Sequence, residues 1–250
     1  MNLYNPFSLE GKTILITGAS SGIGKATAIE CSKLGAKVVI TARNEARLQD
    51  TLNLLEGEGH MMICCDLSNP EAISSMIPQL PMLDGVVNNA GFTKTLPIQF
   101  IKEEALLDIL KVNTIAPVSI VRWLIKKKKL NQGSSIVFTS SVSAIGRVSV
   151  GNSMYASSKG AITAFVRAAA KELADRKIRV NAVCPGMIDT GILDAGTITE
   201  EQMKTDIENY PLKRYGKPEE VAWAMIYLLS DASQWTTGTN VLIDGGVSVK

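Results

Sequence analysis

A tyrosine and a lysine four residues apart are the pair in this sequence best suited to proton exchange. Tyr155 and Lys159 lie where a loop enters the helical pattern GAITAFVRAAAKELA. Their spacing places both side chains on one helix face. A free tyrosine, with a pKa of about 10, is a poor acid or base at neutral pH, and a fixed cation beside it lowers that value. Ser141 ends the preceding predicted strand, and its hydroxyl could donate a hydrogen bond to a carbonyl. The three residues would suit acid–base chemistry at a carbonyl, but a tyrosine and a lysine four residues apart also occur by chance in many helices.

The composition narrows the remaining chemistry. His60 is the single histidine among 250 residues, which excludes a His-rich zinc site and a relay of two histidines. No metal site is predicted. The net charge of +2 provides no strong basic field, and aromatic residues make up 5% of the chain, so nucleic-acid binding is not indicated. The chemistry must depend mostly on hydroxyls, amines and carboxylates.

A glycine-rich turn follows the first predicted strand. Residues 13–18, TILITG, lead directly into the turn GASSGIG at 18–24 and then into a helix. Glycines at these positions permit a tight turn and a close approach of the backbone to a pyrophosphate. The following helix N-terminus offers unpaired N–H groups and the positive end of its dipole. The pattern predicts a dinucleotide-binding turn, although a tight connection without ligand would have the same glycines.

The end of the second predicted strand bears on which dinucleotide is bound. NAD-selective folds place an acidic residue there to hold the ribose 2′-hydroxyl. Here the strand ends in Thr41-Ala42-Arg43, with no carboxylate before Glu45. The planar guanidinium of Arg43 suits a 2′-phosphate. The sequence therefore predicts NADP rather than NAD as the cofactor.

Seven short apolar segments rich in β-branched residues must position these groups. They span 13–18, 37–41, 61–66, 83–88, 134–140, 178–184 and 239–244, and amphipathic helical patterns separate them. Nearly continuous apolar strands are typical of a parallel sheet covered on both faces. We predict an α/β fold: a single Rossmann-type, doubly wound domain over residues 1–250, with a seven-stranded, mainly parallel sheet between helices. Segment 190–212 lacks a strand and is predicted to be a substrate flap, with a plain surface excursion as the alternative.

Three further features bear on location and surface. The N-terminus lacks the basic and apolar regions of a signal peptide, and no apolar stretch reaches the length of a membrane span. The four cysteines form no CxxC pair and are interpreted as small buried hydrophobic residues. A reduced, cytoplasmic protein is expected. The run Lys126–Lys129 is interpreted as a solvated helix end, in preference to a nucleic-acid patch.

Six motifs in order resemble those of the short-chain dehydrogenases/reductases over essentially the whole chain. They are TGASSGIG at 17–24, NNAG at 88–91, KVNTIAP around Asn113, the Ser140-Ser141 strand end, Tyr155-x-x-x-Lys159, and Pro185-Gly186 in NAVCPGMIDT. Within the family, the C-terminal segment PLKRYGKPEEVAWAMIYLLSDASQWTTGTNVLIDGG is most similar in style to 3-oxoacyl-[acyl-carrier-protein] reductases. Many sugar, steroid and alcohol dehydrogenases share that style.

The resemblance implies a role for each matching residue. Tyr155 would be the general acid in reduction and the base in oxidation, while Lys159 would lower its pKa and bind the nicotinamide ribose. Ser141 would polarise the carbonyl, and Asn113 would anchor a water in a proton relay. The resemblance also implies contacts with four parts of the cofactor. The pyrophosphate would be lined by Gly18, Ala19, Ser20, Ser21 and Ile23, and the adenine would meet Asp66 and Leu67. The cofactor cleft would be lined by Asn89, Ala90 and Gly91, and the nicotinamide carboxamide would be bound by Ile188 and Thr190.

Two departures from the family pattern affect these assignments. The family usually places the serine 13 residues before the tyrosine, whereas Ser141 lies 14 residues before Tyr155. The upstream motifs still align with Ser141, so it is preferred to Ser143. NADP-using relatives often carry a basic residue where this sequence has Ser21, so the NADP prediction depends mainly on Arg43.

The favoured function is NADPH-dependent reduction of a carbonyl to a secondary alcohol, with a 3-oxoacyl thioester on acyl carrier protein as substrate, as in fatty acid biosynthesis. A dehydrogenase of a free small alcohol, sugar or steroid is the main alternative. A non-catalytic nucleotide-binding regulator is the third, although it would not need the set Asn113, Ser141, Tyr155 and Lys159. Apolar helix faces within 102–129 and 152–175 resemble the family's dimer-forming pair. A homo-oligomer is therefore expected, with a tetramer favoured.

Overall fold

The computed structural model describes residues 4–190 and 199–249. Within them, seven strands form one sheet in the order β3-β2-β1-β4-β5-β6-β7, and every neighbouring pair is parallel. The strands are β1 Thr13–Thr17, β2 Lys37–Ala42, β3 Met61–Cys64, β4 Leu83–Asn88, β5 Leu130–Thr139, β6 Arg179–Pro185 and β7 Asn240–Ile243. The predicted fold class is confirmed.

Eight α-helices are found in the same residues. They are α1 Gly22–Lys33, α2 Glu45–Leu52, α3 Pro70–Met76, α4 Glu103–Leu110, α5 Ala116–Lys126, α6 Ser153–Glu172, α7 Glu200–Ile207 and α8 Pro218–Leu229. A short π-helical turn, Lys111–Ile115, joins α4 to α5. The predicted flap segment 190–212 contains α7, and its residues 191–198 lie outside the described part of the chain.

The sheet separates two hydrophobic cores, which explains why the strands are apolar at successive positions. Leu15 of β1 packs with residues of α5 and α6, whereas Ile14 and Ile16 pack on the opposite face with residues of α1 and α8. All three side chains are fully buried. Burial of one such side chain stabilises the fold by roughly 1.5–3 kcal/mol. A polar substitution at any of these positions would therefore remove a contact on one face of the sheet.

The order of the strands fixes where a ligand can bind. The chain winds outward from β1 to β3 on one side, and from β4 to β7 on the other. The connections therefore diverge between β1 and β4, leaving a crevice at the carboxyl ends of these strands. In open α/β sheets this switch point is where ligands bind.

Two sequence interpretations concern surface features that the structure now locates. Helix α5 ends at Lys126, and the Lys129 ammonium donates to the carbonyls of Pro78 and Leu80. The lysine run is thus a helix end, one of whose charges is held by the neighbouring loop. The interpretation of all cysteines as buried was wrong for Cys64, which is exposed at the end of the edge strand β3. No helix in the described residues combines the length and apolar character that crossing a bilayer requires.

Candidate active site

The turn after β1 has room only for glycine at two of its positions. Gly18 has a φ of 67°, and a Cβ there would lie 2.8 Å from the Cα of Ala90. A Cβ on Gly24, inside α1, would lie 2.3 Å from the carbonyl oxygen of Gly18. The turn is therefore pressed against both its own helix and the strand end of β4. This packing leaves the N-terminus of α1 open toward the crevice.

A set of hydrogen bonds ties the ends of three strands together beneath the crevice. The hydroxyl of Thr17 accepts from the backbone N–H groups of Asn89 and Ala90, at 2.9 and 3.0 Å. The Asn89 amide donates to the Thr17 carbonyl at 3.2 Å, and its oxygen accepts from the Thr139 hydroxyl at 3.1 Å. These bonds join the ends of β1, β4 and β5 at the floor of the crevice.

The crevice is a cleft of about 890 Å³. Thirteen of the predicted site residues line it: Gly18, Ser20, Ser21, Ile23, Arg43, Asp66, Leu67, Asn89, Ala90, Gly91, Tyr155, Lys159 and Thr190. The glycine-rich turn and the Tyr155–Lys159 pair are separated by more than 130 residues in sequence, yet they share one cavity.

Four predicted residues do not form the wall of this cleft. Ala19 is fully buried in the core, and Ile188 is 6% exposed and packs against the same core. Asn113 and Ser141 are also buried, at 1% and 7% exposure. The cofactor contacts predicted for Ala19 and Ile188 stay predictions.

Arg47 is a cleft residue that the sequence analysis missed. It lies in the first turn of α2, where its backbone N–H donates to the Asn44 side chain at 2.9 Å, and it lines the same end of the cleft as Arg43. Two exposed guanidinium groups therefore flank this end. The available signal was Asn44, two residues after β2 ends at Ala42, since an asparagine cap there starts α2 at the carboxyl edge of the sheet.

Asp66 follows β3 at the same end of the cleft. Its carboxylate accepts from the backbone N–H of Ser68 at 2.9 Å. This hydrogen bond, with the Ser68 hydroxyl and the nearby charge of Arg43, lowers the pKa of Asp66 below its usual value. The carboxylate is therefore ionised at neutral pH and is available as a hydrogen-bond acceptor for a donor such as an exocyclic amine.

Lys159 is buried at the inner end of the cleft. It is 4% exposed, and its ammonium donates to the Thr139 carbonyl at 2.7 Å. Burial lowers the pKa of Lys159 to about 8, because the charged form loses its hydration. Its Nζ lies 5.8 Å from the centre of the Tyr155 ring. The pair predicted from the i, i+4 spacing is thus brought together, with the lysine held by the end of β5.

The pKa of Tyr155 is raised rather than lowered. Burial of the phenol is the main cause, and a hydrogen bond with the Ser141 side chain opposes it only in part. The resemblance implied that Lys159 lowers this pKa. In the structure the Lys159 ammonium is directed to the Thr139 carbonyl, so desolvation dominates the Tyr155 pKa. Tyr155 therefore holds its proton at neutral pH, as a general acid must.

Ser141, rather than Ser143, is next to the tyrosine. Ser141 begins a single turn, Val142–Ala144, in which its Oγ accepts from the backbone N–H of Ser143 at 3.1 Å. The Ser143 hydroxyl instead accepts from the Asn152 side chain at 3.3 Å. The extra residue between serine and tyrosine is accommodated in the loop after this turn, and Ser141 stays close enough to Tyr155 to oppose part of the rise in its pKa.

Asn113 lies in the π-helical turn between α4 and α5. Its Oδ1 accepts from the Phe92 N–H at 3.0 Å, while its Nδ2 donates to the Phe92 carbonyl at 2.9 Å and to the Ser158 hydroxyl at 3.1 Å. Ser158 in turn donates to the Tyr155 carbonyl at 2.7 Å. Such π-helical turns occur frequently at functional sites. The Asn113 side chain thus connects the loop after β4 to the helix that carries the tyrosine.

Within residues 4–190 and 199–249, no group of three His, Cys, Asp or Glu side chains is arranged to hold a metal ion. His60, the single histidine, accepts from the Val38 N–H at 3.1 Å through Nδ1, and its Nε2 lies 2.9 Å from the Glu56 carbonyl oxygen. These contacts join the start of β2 to the segment before β3. The histidine therefore has a local structural role away from the cleft.

Comparison with known proteins agrees with this geometry. A family model described as enoyl-(acyl carrier protein) reductase matches residues 18–248. The chain is 37% identical over 240 residues to the 3-oxoacyl-[acyl-carrier-protein] reductase FabG of Rickettsia felis, covering 96% of this chain and 98% of the relative. It is 35% identical over 247 residues to the FabG of Thermotoga maritima, covering 96% and 99%.

Solved structures show the same architecture. A putative short-chain alcohol dehydrogenase from Sinorhizobium meliloti superposes with a TM-score of 0.90 at 30% identity, covering 97% of this chain and 98% of its own. A putative 2-deoxy-D-gluconate 3-dehydrogenase from Agrobacterium tumefaciens with bound NADP has a TM-score of 0.90 at 28% identity, covering 99% and 100%. With its motifs assembled in one cleft, the chain belongs to the short-chain dehydrogenase/reductase family and is an NAD(P)-dependent oxidoreductase.

Proposed function

We propose that this protein reduces a carbonyl to a secondary alcohol with NADPH, and that its substrate is a 3-oxoacyl thioester carried on acyl carrier protein. The observation that carries the proposal is the shared cleft. Protonated Tyr155 and buried Lys159 lie at one end of it, and two arginines flank the other. The cleft thus has one end suited to binding an anion and another end suited to donating a proton.

The residues of the cleft fit NADPH. Arg43 and Arg47 offer two guanidinium groups to a 2′-phosphate, and no acidic side chain stands at the end of β2 to prefer the free hydroxyl. Gly18 brings the backbone close to a pyrophosphate at the N-terminus of α1, beside Ser20, Ser21 and Ile23. Asp66 and Leu67 meet the adenine, and Asn89, Ala90 and Gly91 support the cofactor along the cleft. Ile188 through its backbone, together with Thr190, meets the carboxamide.

Bound NADPH supplies a hydride to the carbonyl carbon, and the protein controls the oxygen. Tyr155 donates its hydroxyl proton to that oxygen as negative charge develops, and the Ser141 hydroxyl donates a hydrogen bond to it. The ketone thus gains a hydride and a proton and becomes the alcohol. In the reverse oxidation Tyr155 acts as the base.

Lys159 and Asn113 hold the acid in position. The Lys159 ammonium has three donors, and its bond to the Thr139 carbonyl uses one. The other two are available for the ribose hydroxyls of the nicotinamide nucleoside. Asn113 fixes the start of α6 through Ser158. Its second role in the proposal is to anchor a water that returns a proton to Tyr155.

The substrate assignment draws on the relatives. The curated relatives quoted above carry the name 3-oxoacyl-[acyl-carrier-protein] reductase, at 35% and 37% identity. One structural relative is described instead as a sugar-acid dehydrogenase. A free alcohol, sugar or steroid is therefore the alternative substrate class. A cytoplasmic homotetramer is part of the proposal, and Leu107 of α4 and Ile115 beside α5, both 54% exposed, provide apolar surface for an interface.

The test is a panel of substrates under NADPH oxidation. We expect acetoacetyl thioesters of acyl carrier protein and of coenzyme A to give the highest kcat/KM. A crotonyl thioester, reduced only by an enoyl reductase, should give none, and sugars, steroids and simple ketones should give little. Activity confined to substrates without a thioester would contradict the substrate assignment. Activity on the crotonyl thioester alone would contradict carbonyl reduction.

A further inference from the structure

The loop between Ser141 and Tyr155 carries an arginine that reaches another element. Gly146 donates from its N–H to the Val142 carbonyl at 2.8 Å, which turns the chain just before Arg147. The Arg147 guanidinium lies 3.5 Å from a carboxylate oxygen of Asp206. Both side chains are 34% exposed. Asp206 belongs to α7, so this ion pair joins the loop that begins at Ser141 to α7.

Asp206 is also held from the side of the protein interior. Its second carboxylate oxygen accepts from the Tyr215 hydroxyl at 3.0 Å. Tyr215 is 8% exposed, and its ring packs edge-on against that of Tyr210, with ring centres 5.5 Å apart. The carboxylate is therefore fixed between a buried phenol and the guanidinium, unlike the acidic side chains at the start of α7.

The same aromatic pair contacts the segment that follows β6. The Tyr210 hydroxyl accepts from the Met187 N–H at 3.1 Å. Gly216 donates to the Met187 carbonyl at 3.0 Å and accepts from the Asp189 N–H at 2.8 Å. The segment around Ile188, proposed above to meet the nicotinamide, is thereby connected to Asp206 through two tyrosines.

We propose that Arg147 and Asp206 are positioning residues for the reaction. Their ion pair holds α7 and the Ser141–Tyr155 loop at a fixed separation, and this separation sets the affinity for the carbonyl substrate. The proposal rests on the proposed roles of Ser141 and Tyr155. An ion pair whose side chains are each about one-third exposed adds little to the stability of a fold, so its loss should change the position of α7 rather than folding.

The variants are Arg147→Met, Asp206→Asn, their combination, and the charge reversal Arg147→Asp with Asp206→Arg. We expect each single variant to raise KM for the acetoacetyl thioester by roughly fivefold, with kcat and the KM for NADPH changed less than twofold, since about 1 kcal/mol is at stake. The double variant should be no worse than either single one, because both remove the same contact. The charge reversal and Arg147→Lys should restore part of the loss.

A matched control lies just beyond the same helix. Lys213 pairs with Glu208 at 3.1 Å, but both side chains are more than half exposed, and the hydrogen bonds of the Lys213 ammonium in the described part of the chain go to Glu208 alone. Lys213→Met should leave every constant unchanged. Three results would overturn the proposal. They are a double variant whose KM rises by the product of the two single effects, a charge-reversed protein whose KM is no lower than that of the single variants, and a rise in KM in Lys213→Met equal to that in Arg147→Met.

Hydrogen exchange provides a second readout that needs no turnover. Backbone amides of α7 should exchange several-fold faster in Arg147→Met than in the wild-type protein or in Lys213→Met, while those of α8 stay unchanged. Unchanged exchange in α7 would overturn the proposal. If the wild-type protein reduces no carbonyl while the exchange difference is present, the proposed function fails and the contact between loop and helix stands.

Discussion

The two ends of the cleft depend on different parts of the chain, the main chain at one end and buried side chains at the other. The proposed phosphate end comprises the glycine-rich turn together with Arg43 and Arg47. The shape of the main chain determines the structure of its turn, where Gly18 and Gly24 are required because a Cβ would collide with neighbouring backbone. At the catalytic end, the working groups are side chains withdrawn from water, and burial moves the pKa of Lys159 down and that of Tyr155 up. The shape of the glycine-rich turn thus depends on steric fit, whereas the protonation states of Tyr155 and Lys159 depend on desolvation.

The difference between the two ends also affects the stability of the folded protein, which is lowered at the catalytic end alone. A buried ammonium destabilises the folded protein, because the charged form is better solvated in the unfolded chain. Exposed Arg43 and Arg47 carry no such penalty. Substitutions at the catalytic end should therefore affect turnover strongly and can raise stability. Substitutions at the phosphate end should change cofactor preference without touching the proton transfer.

Removal of the Tyr155 hydroxyl should have the largest effect. In Tyr155→Phe the oxygen of the carbonyl has no proton donor, and we expect kcat to fall by about a thousandfold or more. NADPH binding, measured by nucleotide fluorescence, should change less than twofold because the ring remains. Retained turnover in this variant would remove the proposed distinction between the two ends.

The two serines after β5 offer a matched pair. Ser141→Ala should lower kcat by about a hundredfold, since one donor to the developing oxyanion is lost. Ser143→Ala should lower it no more than about threefold, because that hydroxyl contacts Asn152 and not Tyr155. Steady-state kinetics of both variants check this expectation, and a larger loss in Ser143→Ala would reverse the assignment.

Lys159→Met should separate activity from stability. Turnover should be lost, yet the protein without cofactor should unfold with a free energy higher by about 2–3 kcal/mol at pH 7. The folded pKa of Lys159 is about 8, below its ordinary 10.5, so the wild-type penalty is complete below pH 8 and disappears as the pH rises through 10.5. Denaturant unfolding at pH 7 and pH 10.5 should show the difference only at the lower pH. A less stable variant at pH 7 would show that burial of the ammonium is not costly.

The smallest predicted change lies at the phosphate end. Arg43→Ala should raise KM for NADPH by about ten- to thirtyfold while changing KM for NADH less than threefold, since a charge-assisted contact to the 2′-phosphate is worth about 1.5–3 kcal/mol. Arg47→Ala should act in the same direction and more weakly. Equal effects of Arg43→Ala on the two cofactors would refute the NADP assignment.

Much of the fold could be predicted because buried parallel strands leave a continuous apolar signal. The strand boundaries were less accessible. Strand β5 begins at Leu130, four residues before the apolar stretch predicted at 134–140. Leu130 pairs with Leu83 of β4, and the polar residues 131–133 connect it to the rest of the strand. Strand β3 ends at Cys64, two residues before the predicted end at Asp66. Pairing with a neighbouring strand, which the local sequence does not show, decided both ends.

The candidate site was predicted where residue type alone limits the possibilities. The glycine-rich turn and the tyrosine–lysine pair are each common alone, but together with the other family motifs in the same order they indicated one site. The direction of the Tyr155 pKa shift was wrong because it depends on desolvation in the folded state. Arg47 was missed because its approach to the cleft depends on how α2 packs. The contact between Arg147 and Asp206 joins residues 59 positions apart, and no sequence period predicts it.

The central claim is that hydride from NADPH and a proton from Tyr155 together reduce a carbonyl. The most direct measurement uses NADPH deuterated at one face of nicotinamide C4, an acetoacetyl thioester, and mass spectrometry of the hydroxyacyl product. Two forms of NADPH are used, one deuterated at each face of nicotinamide C4. The wild-type protein should transfer one deuterium to the alcohol carbon from one of these two forms and none from the other, and Tyr155→Phe should yield no product. Product without cofactor-derived deuterium, or equal product from Tyr155→Phe, would contradict the account.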